Sequence, residues 1–419
     1  MTPRRPWLIA IATATTAALL AGCGTIGGAV STAKTKPPIV FGISLSLSGA
    51  FAGDGQAFQR GYRLWQSHVN EHGGLLGRPV KLIILNDNSD QKKVFSNYRT
   101  LITADHVDMT LGPFSSLLTV PADQAVAKYG YALIEGAGAA ETVFNSQTNL
   151  KYHNIFSPSV PVKLYMKPFV QWIKSLPASQ RPKTASYPTV DDPFATPAVQ
   201  TAQKGLEALG IKTMYSSEKA FKEVASAYQA PAQAVATANA QIVVLGATDV
   251  PTVATFMKAF EAAHYNPKIF IAVSGPDQGQ TFEGTVGKAN ADGMMVPDGW
   301  YGAYSNALSS AMVEEYIARY GGLASAINAD VAEAFSVGEV AAGAIAATRG
   351  TDNAKIIRYL HGPVTLQTVQ GPARFDKLGE NQIPAAFISQ WQAGSYVQVL
   401  PAGFAGSTQI QYPKHPWGS

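Results

Sequence analysis

Residues 39–43 read Ile-Val-Phe-Gly-Ile and lead into the small, polar loop Ser46–Gly55. A short apolar run that stops at such residues predicts a buried strand with a loop at its carboxyl end. Apolar residues at helical spacing follow in Ala57–Val69, and Val80–Leu85 predicts the next strand. Alternating strands and helices predict a parallel sheet covered by helices on both faces.

The same alternation continues through two consecutive blocks of the chain. The first block adds strand candidates at Met109–Leu111 and Tyr131–Ile134, between helix candidates at Lys92–Ala104 and Val120–Lys128. The second block has strand candidates at Thr184–Tyr187, Gln241–Leu245 and Lys268–Val273, and a helix candidate at Thr196–Leu209. Asp249, with Pro251 behind it, predicts the capped start of another helix. We therefore predict an α/β protein with two doubly wound parallel-sheet lobes.

Length and charge agree with two lobes and argue against nucleic-acid binding. The chain has 419 residues, whereas single hydrophobic cores stop growing at about 250–300 residues. The net charge is +4, and removing Arg4 and Arg5 with a leader leaves +2. No basic stripe interleaved with aromatic residues accompanies this weak charge, so no nucleic-acid partner is expected.

The N-terminus has the pattern of a secretory leader. Arg4 and Arg5 precede an apolar run from Trp7 to Leu20, and small residues then lead to Cys23, the single cysteine. The run Leu20-Ala21-Gly22-Cys23 resembles a bacterial lipobox, in which the cysteine becomes lipidated. We expect a signal peptide over 1–23, a flexible tether over 24–37 and an extracytoplasmic protein anchored to the membrane through Cys23. The alternative is a buried cysteine that happens to follow an apolar run.

Ligands of open parallel sheets bind beyond the carboxyl ends of the strands. The loops at these ends are Ser46–Gly55, Gly112–Ser116, Glu135–Glu141, Thr189–Ala195, Gly246–Val250 and Ser274–Gly279. If the two lobes face each other, these loops line one cleft, which is the expected site for a small molecule.

Several motifs resemble the type I periplasmic binding proteins, specifically the leucine/isoleucine/valine-binding branch that serves ABC importers. The most specific is Asn70-x-x-Gly73-Gly74-x-x-Gly77-Arg78 before a strand. Further matching runs are Ile43–Ala50, Leu111–Ser116, Asp191–Ala195 and Gly371–Asp376. The resemblance implies lobes joined by three crossovers that act as a hinge. Lobe 1 would comprise 38–157 and 297–367, and lobe 2 would comprise 158–296 and 368–419.

The resemblance also implies a function. The protein would be a monomeric solute-binding lipoprotein that captures a small amino-acid-like, amide or aromatic carboxylate ligand and delivers it to a membrane permease. The alternative is a receptor of the same fold that reports its ligand to a signalling partner. Under either interpretation the protein requires no cofactor and is not expected to be an enzyme.

The loop between the third strand and its helix is the first candidate subsite. Ser115 and Ser116 lie where free helix amides and a hydroxyl could bind a ligand carboxylate, although most such serines only cap helices. In the family, a serine aligned with Ser116 holds the carboxylate, and Phe114 belongs to the same loop. The family's second donor, a threonine, is replaced by Ala139, so backbone amides from Ala137 to Ala139 would have to substitute.

Further candidates come from other loops. Phe194 stands where the family often has a tyrosine and would stack on the ligand. Asp277 lies near the family's ammonium-binding acid, although Gly-Pro-Asp is also a common turn. Asp54 either faces the cleft or forms a tight turn with Gly55. Trp300, with Tyr301 beside it, either lines the cleft or packs the hinge.

Two patterns typical of enzymes are weak here. His68 and His72 match the spacing of a zinc site, but Gly73 and Gly74 should end the helix at the second histidine. Gly136-x-Gly138 is half of a dinucleotide-binding motif and has Glu141 where the third glycine belongs. We therefore predict no catalytic residue and no metal site.

Overall fold

The computed structural model describes residues 36–217, 221, 225–304, 306–404 and 406–418. Cys23, the predicted signal peptide and the predicted tether up to residue 35 lie outside the described residues. The strands are β1 (Ile39–Leu45), β2 (Val80–Asn86), β3 (Met109–Leu111), β4 (Leu133–Ile134), β5 (Ile155–Phe156), β6 (Thr184–Tyr187), β7 (Lys212–Ser216), β8 (Ile242–Leu245), β9 (Ile269–Ala272), β10 (Met294–Asp298), β11 (Leu366–Thr368), β12 (Gly371–Ala373), β13 (Phe387–Gln392) and β14 (Ser395–Leu400).

The helices alternate with these strands through most of the described chain. They are α1 (Ala52–Glu71), α2 (Gln91–Thr103), α3 (Ser116–Val126), α4 (Glu141–Phe144), α5 (Gln147–Tyr152), α6 (Val162–Tyr165), α7 (Lys167–Ser175), α8 (Ala195–Glu207), α9 (Gln229–Ala238), α10 (Val250–Ala262), α11 (Gln280–Val286), α12 (Lys288–Ala291), α13 (Ala307–Tyr320), α14 (Ala329–Thr348) and α15 (Asn353–Leu360).

Two sheets carry the fold. The first is parallel throughout, in the order β2-β1-β3-β4-β5. The second has the order β14-β13-β10-β9-β8-β6-β7, parallel from β10 to β7 and antiparallel at β13 and β14. The prediction of an α/β fold with doubly wound parallel sheets is confirmed.

Strand order determines where a ligand can reach each sheet. In the first sheet the chain moves to opposite sides of β1, so the loops after β1 and β3 diverge. The second sheet repeats this arrangement around β6, where the loops after β6 and β8 diverge. Diverging loops leave a crevice at the carboxyl ends of the strands, and this crevice is the usual ligand site of such sheets.

The first sheet is covered on one face by α1 and α14, whose crossing depends on two glycines. The Trp65 ring is buried edge-on against Phe41, with ring centroids 5.3 Å apart. A Cβ added at Gly338 would lie 2.2 Å from the Trp65 ring, and one at Gly61 would lie 2.3 Å from the carbonyl oxygen of Val331. Only glycine permits this close packing of the two helices.

Several helices begin at a residue whose side chain caps the first turn. The carboxylate of Asp249 accepts a hydrogen bond from the Thr252 amide (2.8 Å), which confirms the cap predicted there. Asp90 caps α2 in the same way through the Lys93 amide. Such caps satisfy amides that have no partner within the helix.

Helix α14 is long and apolar enough to cross a membrane by length and composition, but 67% of its apolar window is buried inside the protein. Its buried residues join the core beneath the first sheet. We therefore describe α14 as a core helix.

The chain passes between the sheets three times. It leaves the first sheet after β5 and returns after β10, where α13 to α15 pack against the hydrophobic core of the first sheet. Val369 and Phe375 belong to the same core. The chain then enters the second sheet again at β13. This path accommodates three crossovers, and the lobe boundaries given above stay a prediction.

Candidate ligand-binding site

A cavity lies where the carboxyl ends of the two sheets meet. The empty space between its walls is about 670 Å³, counting the part that opens to solvent. Its lining includes most of the residues proposed from sequence: Asp54, Phe114, Ser115, Ser116, Ala137, Ala139, Phe194 and Asp277. The diverging loops after β1, β3, β6 and β8 thus contribute to one site.

Trp300 is the exception among these residues. Its side chain is fully buried, and its indole nitrogen donates a hydrogen bond to the Ser309 hydroxyl at 2.8 Å. It belongs to the hydrophobic core of the first sheet and does not line the cavity. The prediction that Trp300 would line the cleft is therefore corrected, and its alternative, a packing role, describes the structure. The cavity wall at this crossover is formed by Pro297 and Asp298 instead.

Ser115 presents a free hydroxyl to the cavity. It is the N-cap residue of α3, yet its side chain makes no capping hydrogen bond. The hydroxyl is buried, with 8% of the residue exposed, and no protein atom bonds to it. Amides in the first turn of a helix also lack intrahelical partners. This corner can therefore donate hydrogen bonds to an acceptor on a ligand.

Ser116 has a different environment. Its hydroxyl donates to the Ala137 carbonyl and accepts from the Ala140 amide, both at 3.2 Å. These bonds hold the start of α3 against the loop after β4, which includes Ala139. Ser116 thus lines the cavity while its hydroxyl is engaged in joining two loops.

The loop after β4 is also fixed by Glu135. One of its carboxylate oxygens accepts a short hydrogen bond from the Gly138 amide, and the other oxygen is buried without a partner. Burial raises the pKa of Glu135 to about 7, although the hydrogen bond from the Gly138 amide acts to lower this pKa. The backbone near Ala137 and Ala139 is therefore held in place by a carboxyl group from beneath.

Aromatic rings form two sides of the cavity. Phe114 contacts Phe51 and Phe58 edge-on, with ring centroids 5.7 and 5.5 Å apart. On the opposite side, Phe194 lies edge-on to Tyr165, with centroids 5.4 Å apart. These rings can enclose the apolar part of a ligand, and stacking of Phe194 on the ligand stays a prediction.

The most distinctive feature of the cavity is its acidic lining. Six carboxyl groups line it: Asp54, Asp192, Asp277, Asp298, Asp330 and Glu333. Asp192 also accepts hydrogen bonds from the amides of Phe194 and Ala195 at the start of α8, at 2.7 and 3.0 Å. Among the described residues that line the cavity, none is lysine, arginine or histidine. The candidate residues named from the sequence included two of these acids, Asp54 and Asp277, and the other four were missed.

Asp54 and Asp330 form a carboxyl pair between the first turns of α1 and α14. The two side chains are close enough for the charge of Asp54 to raise the pKa of Asp330. Gln278, from the loop after β9, donates to Asp54 at 2.8 Å. Burial raises the pKa of both acids well above the usual value, and neighbouring acids raise them further. Asp54 lies within α1, so it does not form the tight turn that was its alternative.

Asp277 and Asp298 stand at the carboxyl ends of β9 and β10. Asp277 accepts a hydrogen bond from the Gly275 amide at 2.6 Å, so its carboxylate shapes its turn while it also lines the cavity. Asp298 accepts from the amides of Gly299 and Trp300 and from the Tyr396 hydroxyl. Burial, then the charge of Asp277, raise the pKa of Asp298 to about 7.

Glu333 completes the set from the second turn of α14. Burial, followed by the charge of Asp298, raises the pKa of Glu333 well above its usual value, and the Tyr165 hydroxyl acts against this rise. Asp330 and Glu333 are three residues apart, so they share one face of the helix. Acids at a helix start are also common without any ligand, so the sequence alone gave these two no functional signal.

Comparison with known proteins places these features in a family. The family model for periplasmic binding proteins matches residues 38–395. Curated relatives include a "Leu/Ile/Val-binding protein homolog 1" of Brucella abortus and its counterpart in Brucella suis, each 31% identical over 109 residues. That match covers 26% of this chain and 29% of each relative, so the chain matches less than a third of their length.

Solved structures share the fold over most of the chain. The substrate-binding protein of a branched-chain amino acid transporter from Streptococcus pneumoniae, in complex with isoleucine, has a TM-score of 0.73 at 16% identity, covering 86% of this chain and 97% of that one. A solute-binding protein from R. palustris in complex with benzoate has a TM-score of 0.71 at 18% identity, covering 89% and 98%. At these identities the likeness shows the fold.

Proposed function

Because this chain belongs to the periplasmic binding protein family, we propose that it is the extracytoplasmic solute-binding protein of an ABC importer. The observation that carries this proposal is the cavity between the carboxyl ends of two doubly wound sheets. It is lined by loops from both sheets, it contains polar groups without partners, and it is bounded by aromatic rings. A concave site of this kind suits a small molecule.

Capture would proceed by closure of two lobes, with the boundaries 38–157 plus 297–367 and 158–296 plus 368–419. The ligand first meets the Ser115 corner, and the second lobe then brings Phe194 and Asp277. The hydrogen bond from Gln278 to Asp54 supports this arrangement, because it joins the loop after β9 of the second sheet to α1 of the first. Closure excludes water and strengthens the hydrogen bonds to the ligand.

The protein would act as a monomer and deliver a small solute to a membrane permease. The family resemblance makes amino-acid-like, amide and aromatic carboxylate compounds the first ligands to test. A lipid on Cys23 would keep the protein at the membrane surface. Mass spectrometry of the mature protein tests this anchor, since acylation adds the mass of the acyl chains to the N-terminal cysteine.

A thermal-shift screen of the purified protein tests the solute-binding function. We expect at least one compound among amino acids, amides, aromatic acids and amines to raise the melting temperature by mass action. Small-angle X-ray scattering should then show a smaller radius of gyration with that compound at saturation. A protein whose melting temperature and radius no compound changes would not be a solute-binding protein of this kind.

Replacing Ser115 by alanine should weaken binding of the compound that gives the largest thermal shift, by on the order of tenfold. The Ser115 hydroxyl has no protein partner, so its loss leaves folding stability nearly unchanged. Ser116→Ala is the matched comparison, because it removes the hydroxyl that joins two loops and should lower the free energy of unfolding by about 1 kcal/mol. Calorimetry and urea unfolding measure both; equal affinity of the Ser115 variant and the unmodified protein would reject the assignment.

A further inference from the structure

We propose that the ligand is an organic dication, a molecule with two protonated amine or guanidine groups on one short chain. This inference rests on the proposed solute-binding function and names the class of solute. It starts from the six carboxyl groups of the cavity, which five different parts of the fold bring together.

These carboxyl groups are held inside the protein. The exposed fraction is 2% for Asp54, 3% for Asp298, 8% for Asp330 and 7% for Glu333. A buried carboxylate without a compensating charge is costly, and the described lining offers no cationic side chain. The compensating charge must therefore come from protons in the empty site and from the ligand in the occupied one.

Independent of the charges, the cavity contains polar atoms that lack a partner. The Oδ2 atom of Asp330 and the hydroxyls of Ser115 and Thr248 are buried, line the cavity and make no hydrogen bond to the protein. Asp330 Oδ2 can only accept when ionised. Buried polar groups are nearly always hydrogen-bonded in native proteins. This oxygen can therefore accept a hydrogen bond from a donor on the ligand, such as an ammonium or guanidinium group.

Five of the six acids form two groups, linked by Asp277. Asp54 and Asp330 come from the first turns of α1 and α14, and the charge of Asp54 raises the pKa of Asp330. In the second group, Asp298 exerts the strongest charge effect on Glu333. Asp277 acts on both groups, raising the pKa of Asp54 and of Asp298. Two anionic groups match two cationic groups on one ligand, with the aromatic walls near Phe114 and Phe194 around the intervening methylene groups.

Other charge types fit the cavity less well. A neutral amino acid such as leucine brings as much negative as positive charge, and an aromatic carboxylate adds a seventh acidic group. A metal ion is also disfavoured, because the described residues contain no group of three or more His, Cys, Asp or Glu side chains that could hold one. Amine and guanidine groups instead donate several directed hydrogen bonds, which the dispersed carboxylates can accept.

A dication with the required chemistry could be a simple diamine or a diamino acid. The free Ser115 hydroxyl and the start of α3 could hold the carboxylate of a diamino acid, whereas a simple diamine would leave this corner to water. The shared chemistry is the pair of cationic groups. The experiment therefore compares molecules that differ in one amine or in one carboxylate.

Isothermal titration calorimetry on the purified protein with cadaverine, pentylamine, L-lysine and L-norleucine tests the proposal. Putrescine, agmatine, L-ornithine and L-arginine cover other lengths and the guanidine group. We expect at least one dication to bind at least a hundredfold more tightly than its isostere without the second amine. Cadaverine binding more tightly than L-lysine identifies a simple diamine, and the reverse order identifies a diamino acid.

Asp277→Asn provides the test within the protein. Asparagine keeps an oxygen to accept the Gly275 amide, so the turn should be preserved, but the charge between the two groups is lost. We expect the affinity for the tightest dication to fall at least tenfold. The exposed Asp105→Asn variant is the control and should bind like the unmodified protein.

The possible outcomes separate this inference from the proposed function. L-leucine, L-norleucine or benzoate binding more tightly than every dication would overturn the dication and leave solute binding intact. Failure of all these compounds, neutral and charged, together with an unchanged thermal-shift screen, would overturn both. An Asp277→Asn protein that binds the dication as tightly as the unmodified protein would also contradict the proposal.

Discussion

The unliganded protein should be more stable toward urea at pH 5 than at pH 8. Burial raises the pKa of Asp298 and of Glu135 to about 7, whereas free carboxyl groups titrate near pH 4. Between about pH 4 and pH 7 the folded chain thus holds protons that the unfolded chain has released. This contribution to stability is fully present below pH 4 and is lost as the pH rises through 7.

The magnitude follows from the proton difference. Each such group should contribute on the order of 2 kcal/mol to the fall in unfolding free energy between pH 5 and pH 8. Asp54, Asp277, Asp330 and Glu333 act in the same direction, because burial raises the pKa of each of them as well. Buried acids outside the cavity, Asp123 and Glu339, add to the trend.

Urea unfolding across this pH range measures the effect, and Asp298→Asn shows how much of it comes from the cavity. Asparagine can still accept from the Gly299 and Trp300 amides, so the variant should fold and show a shallower dependence on pH. The exposed Asp105→Asn variant should keep the original slope. A stability that stays constant or rises from pH 5 to pH 8 would contradict the buried, uncompensated acids.

Much of this architecture could be predicted from the sequence. The apolar runs at 39–43 and 241–245 are buried strands, and Asp249 caps the helix expected after the second of them. Strand order, which sequence does not reveal, then decides which loops diverge. Every loop expected to bind the ligand lies at the carboxyl end of a strand. Loops remote in sequence, such as those of Ser115 and Phe194, therefore line one cavity.

The missed acids show where local patterns stop being informative. Asp330 and Glu333 occupy the first two turns of α14, where acidic residues are common because of the helix dipole. They reach the cavity because the close contact between α14 and α1 brings Asp330 against Asp54, a residue 276 positions earlier in the chain. Only packing over that separation distinguishes these acids from ordinary helix-start residues.

Asp298 was missed for a different reason. The run Met294–Asp298 is buried throughout, and Trp300 stands two residues beyond it. The large aromatic residue suggested a cleft wall, but its ring turns into the core and bonds to Ser309. The carboxylate at the end of the strand faces the cavity instead, as the rule on strand ends would have indicated.

Asp330→Asn should change stability and ligand affinity in opposite directions. The variant removes one of two adjacent buried carboxyl groups, and the new amide can donate to Asp54, which already accepts from Gln278. Without a ligand, the free energy of unfolding at pH 8 should rise by on the order of 1–2 kcal/mol, because a like-charge contact and a buried unpartnered oxygen are lost. Urea unfolding at pH 8 measures this gain.

The same change should weaken binding of a dication by at least thirtyfold, which is roughly 2 kcal/mol or more, since a buried charged partner of the ligand is lost. Calorimetry with cadaverine and L-lysine measures the loss. Glu314→Gln, which neutralises an exposed acid on α13, is the matched control and should change neither quantity appreciably. A destabilised Asp330→Asn protein that binds both dications normally would show that Asp330 is retained for folding, whereas greater stability with lost binding would show that the protein keeps a costly carboxyl pair for its ligand.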